Sequence, residues 1–589
     1  MEALDRLEKH WRWWLLLVWL AAAALMIFSR WAQIRGFGLG DTDDNLRIMQ
    51  VRDLLRGQDW YDLRQYRLNP PFGADVHWSR LVDLPIAGIK LVLAPLIGGA
   101  AAERWAVATA PLLPLLAAMG ALAVAARRLV APQAFALAIA LFLCGHSARN
   151  QFVPLRIDHH GWQLALVAVA VMALADPKRA RGGAMLGIAT ALSFSIGLEM
   201  LLYFALTGAA AVLMWVHDAR QARRLAAYGA SLAGGSAAGY LLFASYANRA
   251  PVCDALSPVW LSALVAAGAV CVILAILPRR GGALGRFGAA ALGGLAIAGF
   301  FALAWPHCLG RLEGVSPELD RLWLSHVREA RPVYLHGWRT AVTILALPAA
   351  GLAGYALMLW RSRGDIDRFV PWAAVAAPAV LAVLLLFWQS RAGPAAQLLA
   401  VPGATALAWT IIPSVRSSRL MLVRVVGTVG AFLLISGLLV QEAVDLIPQN
   451  KARSLPAVGR ANASCPSMGG LRAVALQPKG HVLTFVDLGP RLIAVTHHDA
   501  VAGPYHRNQA DILDTMRAFR GTAEGARAIV ERRAIDYVLI CPNLSESTIY
   551  ATEAKTGFYM QLNKGDVPGW LEPVALPEKS PYKMWRVKR

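Results

Sequence analysis

Apolar runs long enough to cross a bilayer recur between residues 11 and 440 and then stop. The first, Trp11–Ser29, spans a bilayer at about 1.5 Å per residue, and no small-residue cleavage site follows it, so it reads as a signal anchor. Residues 84–98 carry Lys90 and two prolines and read as a membrane-surface helix. Further runs lie near residues 105–126, 133–144, 161–175, 184–196, 198–216, 225–245, 259–277, 287–305, 338–360, 369–388, 398–412 and 420–440. The pattern predicts a polytopic α-helical protein of about thirteen spans. After residue 440 the pattern changes. Residues 481–488 and 491–495 alternate like strands, 511–520 and 524–533 have helical periodicity, and Tyr537–Ile540 is a short apolar run. Residues 441–589 are expected to form a separate soluble α/β domain of roughly ordinary domain size.

Composition agrees. Of 589 residues, 57% are hydrophobic and 16% charged, where a soluble domain carries about a quarter charged. A soluble enzyme, a fibrous protein and a disordered chain are excluded. The net charge of +21 raises the question of nucleic acid, and its distribution answers it. Arg127–Arg128, Lys178/Arg179/Arg181, Arg220/Arg223/Arg224, Arg279/Arg280/Arg286, Arg361/Arg363/Arg368 and Arg416/Arg419/Arg424 all lie in short connections between apolar runs. Residues 30–83 and 306–337 are nearly balanced. This is the positive-inside bias of membrane insertion, and no nucleic-acid partner is expected. With a cytoplasmic N-terminus, residues 30–104 and 306–337 form outer loops and the tail is outside, in the periplasm of a bacterial inner-membrane protein. Cys253 with Cys308, and Cys465 with Cys541, are two candidate pairs on that oxidising side; four free thiols are the alternative.

Ionisable groups at a bilayer boundary are costly and seldom lack a purpose. Asp41, Asp43 and Asp44 crowd three carboxylates into four residues, as a cation site or as the cap of a helix beginning near Asn45. Asp158 and His160, two apart, form half of a divalent-metal site or an ordinary helix cap. His159 lies between them. Glu329 reads as a loop charge among arginines. Glu199 in an apolar hairpin is a ligand or a buried acid bonded to Ser193 or Ser195. His497, His498, Asp499, His506 and Arg507 form a polar patch in the tail, as an acceptor or phosphate surface or as a solvated loop.

Together these positions resemble the catalytic subunit of oligosaccharyltransferases, within the GT-C class of membrane glycosyltransferases. Asp41 stands ahead of Asn45-Leu46-Arg47 as the family's first-loop aspartate does, and Asp158-His159-His160-Gly161 matches its second motif. His326-Val327-Arg328-Glu329 with Pro332 is similar to its loop glutamate element, with His326 replacing a hydroxyl residue. The family's Trp-Trp-Asp-Tyr-Gly box is present only as Phe485-Val486-Asp487-Leu488-Gly489, without either tryptophan, which puts recognition of an asparagine sequon in doubt. The resemblance implies transfer of a sugar or oligosaccharide from a polyprenyl phosphate or pyrophosphate, with inversion. It implies Mn²⁺ or Mg²⁺ held by Asp41, Asp158 and His160, catalysis by Asp41 and Glu329, and Arg391 on the donor phosphate. Asp43, Asp44, His159, Glu199, Asp487 and the tail histidines would support the site. The alternatives are a single-sugar GT-C transferase acting on a lipid or polysaccharide, and a transporter or flippase.

Overall fold

The computed structural model describes residue 6 and residues 8–277, 282–448 and 455–588; Arg279 and Arg280 lie outside the described residues. Every apolar run of the sequence becomes a helix. Among the described residues, length and composition qualify seven as membrane spans, within Trp11–Ser29, Gly99–Leu129, Pro258–Ile276, Gly282–Ala304, Trp338–Ser362, Ile366–Leu386 and Ser390–Arg416. Phe135–Cys144, His160–Leu174 and Leu201–His217 are apolar but shorter. The molecule is a multi-pass helical membrane protein. The run at 420–440, expected as one continuous span, is instead broken. Val423–Ile435 and Leu438–Leu446 meet at 86°, because Gly437 adopts φ 80°, a left-handed conformation that ends one helix and starts another direction.

Helices pack closely where glycine leaves room. Gly183 and Gly187 face the backbone of Arg224 and Tyr228, and Gly351 and Gly354 face Ala400 and Gly403, so near that a Cβ would collide. Such backbone-to-backbone approach holds helices together where lipid offers no hydrophobic contrast. The arginine-rich connections gather at one end of the bundle. Arg128 and Arg181 both bind Asp176, at 3.0 and 2.7 Å. Arg224 donates to Ala173 O, and Arg286 donates to the carbonyls of Trp215, Val216 and His217.

At the opposite end the tail and the first long loop share one apolar core. The tail holds a five-stranded sheet of β1 (His481–Leu483), β2 (Asp499–Ala500), β3 (Tyr537–Ile540), β4 (Leu571–Pro573) and β5 (Lys583–Val587), in the order β2-β1-β3-β5-β4. β1 runs parallel to β2 and β3, and β5 antiparallel to β3 and β4. Residues of the first loop extend the β2 edge: Asn69 N donates to Ala500 O (2.8 Å) and Ala500 N to Arg67 O (2.9 Å). Arg67 reinforces the joint through Asp499 at 3.0 Å and the carbonyl of Ile493 at 2.7 Å. Both candidate cysteine pairs are disulfides.

Two readings of the tail need correction. The strand expected over 481–488 ends at Leu483, and the strand expected over 491–495 is the helix Gly489–Val495. Pro490 stands in its first turn, where its fixed φ and missing N–H suit a helix start. Arg491 then turns inward, donating to Pro466 O, Asn45 Oδ1 and Phe37 O. The helices expected at 511–520 and 524–533 are present as Gln509–Arg520 and Ala523–Arg532.

Candidate active site

The helix Thr42–Leu55 carries the first acidic cluster into the junction between the two domains. Asp41 caps it, with extended backbone and a carboxylate accepting from Asp43 N at 3.0 Å. Residues 44–51 are all buried, polar ones included, and each polar side chain has a partner, as burial demands. Arg47 binds Asp83 at 2.9 Å and Ser79 O at 3.1 Å, Asn45 accepts from Arg491 at 3.1 Å, and Gln50 accepts from Trp78 at 2.6 Å. Tyr505 of the tail donates to Thr42 O at 3.1 Å. The helix is clamped from both sides, so its N-terminal carboxylates are fixed in place.

Those carboxylates meet the second motif at one guanidinium. Arg156 bonds Asp41 through Nη1 and reaches Asp44 at 3.6 Å, while its Nη2 binds Asp158 at 2.7 Å. Asp44 also accepts from the backbone N of Asp158 at 3.0 Å, which ties the two loops together directly. Asp158 accepts from the backbone N and Nδ1 of His160, both at 3.0 Å. Asp158 therefore tethers the start of the helix His160–Leu174, whose N-cap is His159, and serves as a site carboxylate at once. Burial, and then Asp41 and Asp158, push the Asp43 carboxyl up to about 8, so Asp43 holds a proton at neutral pH. Burial acts on Asp158 in the same sense but is outweighed by Arg156 and His160, which hold it ionised.

These donors suit a hard divalent cation with one imidazole. Asp41, Asp44 and Asp158 surround the Arg156 charge, but the donor atoms of Asp41, Asp158 and His160 do not all lie within 4.8 Å of one another. Burial acts to lower the His160 imidazole but is outweighed by Asp158, which raises it to about 10, so it carries a proton at neutral pH. Among the described residues, the imidazole–carboxylate group whose donor atoms all lie within 4.8 Å of one another is His77, Asp254 and His506. There both Asp254 oxygens are engaged by Arg507, at 2.6 and 2.8 Å, and one also by His506 at 2.6 Å.

That second group adjoins the first. His159 Nδ1 faces Arg47, and its Nε2 lies 2.9 Å from Glu199. Glu199 also accepts from Gln163 at 2.8 Å and stands 3.5 Å from His77. Its partners are His159 and Gln163 in place of the serines expected from the sequence, while Ser193 binds Gln163. Burial pulls the His77 imidazole down to about 4, so it is neutral at physiological pH.

Asp487 is exposed at the carboxyl end of β1, near enough to Asp41 to feel its charge. Its backbone N and that of Val486 donate to Glu546, at 2.8 and 3.0 Å, and Tyr550 donates to the same carboxylate. Phe485 and Val486, in place of the tryptophans, are fully buried in the tail core. Glu329 and Arg391 lie apart from the cluster as a pair of their own, 4.0 Å from each other and 63% and 39% exposed. His497 and His498 face carbonyls of Gln477 and Val474 within the tail.

The sequence reading gave no role to Arg156, His77, Asp254, Arg491 or Glu546. Arg156 adjoins the second motif and could have been paired with its excess of acid. The others come from segments far apart in the chain, and no local signal marks them.

The fold is the one seen in solved oligosaccharyltransferase structures, of the GT-C type. The chain is similar to the oligosaccharyltransferase of Archaeoglobus fulgidus tethered with an acceptor peptide containing the NVT sequon, at 15% identity, TM-score 0.65, covering 96% of this chain and 73% of that one. The archaeal oligosaccharyltransferase AglB from Archaeoglobus fulgidus, in complex with an inhibitory peptide and a dolichol-phosphate, gives 15% identity, TM-score 0.63 and the same coverages. The Archaeoglobus fulgidus oligosaccharyltransferase in complex with Zn and sulfate gives 15% identity and TM-score 0.61, covering 92% and 70%. No family model and no curated protein matches the sequence.

Proposed function

We propose that the chain transfers a sugar or oligosaccharide from a polyprenyl phosphate or pyrophosphate to an acceptor at the outer face of a bacterial cytoplasmic membrane, with inversion. The observation that carries this reading is the convergence of Asp41, Asp44 and Asp158 on one cationic centre beside His160, in a GT-C bundle. The arginine-rich end of the bundle is assigned to the cytoplasm, which puts this site and the tail outside. A donor with its lipid in the bilayer then presents its reactive carbon at the level of the acidic cluster.

Asp41, Asp158 and His160 would hold Mn²⁺ or Mg²⁺, which supplies Lewis-acid stabilisation of charge on the departing phosphate. Asp44 anchors the Asp158 loop through the backbone N of Asp158. Glu329 orients the acceptor and takes its proton. Arg391 supplies a fixed charge to phosphate oxygens, and its pairing with Glu329 keeps acceptor and donor groups on neighbouring surfaces. Asp487, exposed beside Asp41, faces the acceptor side.

Burial of Phe485 and Val486 favours one acceptor class over another. Without an exposed aromatic shelf, the tail has no platform for an asparagine sequon, and a hydroxyl of a lipid or polysaccharide is the acceptor we assign. The test is transfer of labelled sugar from a polyprenyl-linked donor by the purified protein in nanodiscs. It is paired with mass spectrometry of surface glycoconjugates from cells with and without the protein. Transfer to a hydroxyl-bearing glycoconjugate is the expected result. Glycosylated asparagine would overturn the acceptor class, and unaltered glycoconjugates with no transfer in vitro would overturn the activity.

A further inference from the structure

The cation at the centre of the acidic cluster is a side chain. Arg156 is bonded to Asp41 and Asp158 and lies 3.6 Å from Asp44, carboxylates from two segments separated by more than a hundred residues. A metal ion holds carboxylate oxygens at about 2.0–2.1 Å. A guanidinium nitrogen 2.7 Å from the same Asp158 oxygen cannot share that space. The two cations exclude each other at Asp41 Oδ2 and Asp158 Oδ2.

We propose that Arg156 is the resident counter-ion of the acidic cluster, that a divalent ion displaces it, and that the displaced guanidinium then binds the phosphate of the lipid donor. The cage survives the exchange, because Asp44 holds the Asp158 backbone at 3.0 Å and Asp41 stays anchored by its cap bond to Asp43 N. Outside the acids the side chain is lightly held. Beyond the acids, its Nε has one bond, to Gln151 at 3.4 Å, and it is 19% exposed. Left in place it screens the carboxylates when no metal is bound, a condition in which the ionised acids would otherwise repel one another. Once displaced, it remains on a basic rim with Arg30, which donates to Pro154 O at 3.5 Å and feels the charges of Arg149 and Arg156. That rim offers an anion fixed positive charge and planar donors suited to phosphate oxygens. Only the identity of the phosphate rests on the glycosyl-transfer reading; the competition between cations does not.

The experiment measures Mn²⁺ binding by electron paramagnetic resonance, on the full-length protein in nanodiscs. Arg156→Gln should bind Mn²⁺ roughly tenfold more tightly than the wild type, Arg156→Lys should fall between them, and Asp158→Asn should bind none. Equal or weaker binding by Arg156→Gln overturns the exchange. If Arg156→Gln is unstable in EDTA, Mn²⁺ should raise its Tm by more than it raises that of the wild type; an equal rise overturns the exchange as well. A second arm adds inorganic pyrophosphate, and a third adds polyprenyl phosphate within the nanodisc. Each should strengthen Mn²⁺ binding in the wild type more than in Arg156→Gln, because only the wild type has a displaced guanidinium to engage. A gain with the lipid alone assigns the guanidinium to a lipid-borne phosphate, and a gain with both assigns it to the anion itself. Equal enhancement in the two proteins overturns the phosphate step. A protein that passes the Mn²⁺ test yet transfers no sugar keeps the exchange and loses the proposed function.

Discussion

Two acid–arginine arrangements lie at the end of the molecule that carries the tail, one around Arg156 and one between Glu329 and Arg391. Around Arg156, each carboxylate has a second anchor: Asp41 caps a helix, Asp44 binds a backbone N–H and Asp158 binds His160. The helix beneath is held in turn by Arg47–Asp83 and Arg491–Asn45. Glu329 and Arg391 meet at 4.0 Å across two separate turns, and the nearest supports are Ser390 N to Arg331 O at 2.8 Å and Ser390 Oγ to Glu329 O at 3.3 Å. The first arrangement is preorganised and its geometry is paid for in the fold. The second is free to reshape around a substrate. The contrast teaches where to expect a loss of chemistry and where a loss of rate.

The sharpest way to break the comparison is Asp158→Asn. The amide still accepts from His160 N and removes the charge, so transfer should fall by roughly a thousandfold while expression and membrane insertion stay normal. Initial rates with a polyprenyl-linked donor check this, and wild-type turnover would dissolve the distinction between the two arrangements. Glu329→Gln comes next. Loss of a general base should lower kcat by about a hundredfold with little change in donor KM. A pure rise in KM would make Glu329 a donor-binding residue.

How much of this was legible depended on whether the signal is local. The order of apolar runs and the sidedness of the arginines follow from hydropathy and charge, which need no partner to be read. The acids of both motifs were legible because three carboxylates in four residues are anomalous wherever they occur. Arg156 was not, since an arginine two residues before an aspartate looks like an ordinary flank until Asp41 and Asp44 arrive from more than a hundred residues away. The strand expected at 491–495 failed because alternation of apolar and polar positions over five residues also fits one turn of a half-buried helix, and Pro490 decides between them. Glu199 was recognised as anomalous, but its true partners, His159 and Gln163, lie on another helix.

His77 sits between the two extremes, joined to Glu199, His159, His506 and Asp254 at the seam of the domains. Its folded pKa of about 4 lies below its ordinary value of 6.5. The unfolded chain therefore takes up the proton first as pH falls. The stability this imidazole allows is complete above about pH 6.5 and declines as pH drops toward 4, by about 2 kcal/mol after discounting for its partial exposure. His77→Gln should flatten that part of the Tm-versus-pH curve measured in EDTA. An unchanged slope would mean that the carboxylates around Arg156 set the acid limit alone.

The smallest expected effect separates two halves of one sequence feature. Residues 496–499 and 505–508 read together as a dense polar patch, yet they serve different neighbours. His506 and Arg507 bind Asp254 and tie the tail to the membrane domain, whereas His497 faces Gln477 O and His498 faces Val474 O inside the tail. Asp254 is held in place by the Cys253–Cys308 bridge beside it, so the His506 contact joins two fixed parts. The His497 contact joins neighbours within the tail, which is braced by its own disulfide. His497→Ala should therefore change the transfer rate by less than about twofold. A large loss on His497→Ala, with the tail still folded by circular dichroism, would put the patch as a whole on the acceptor path and erase the division drawn between its halves.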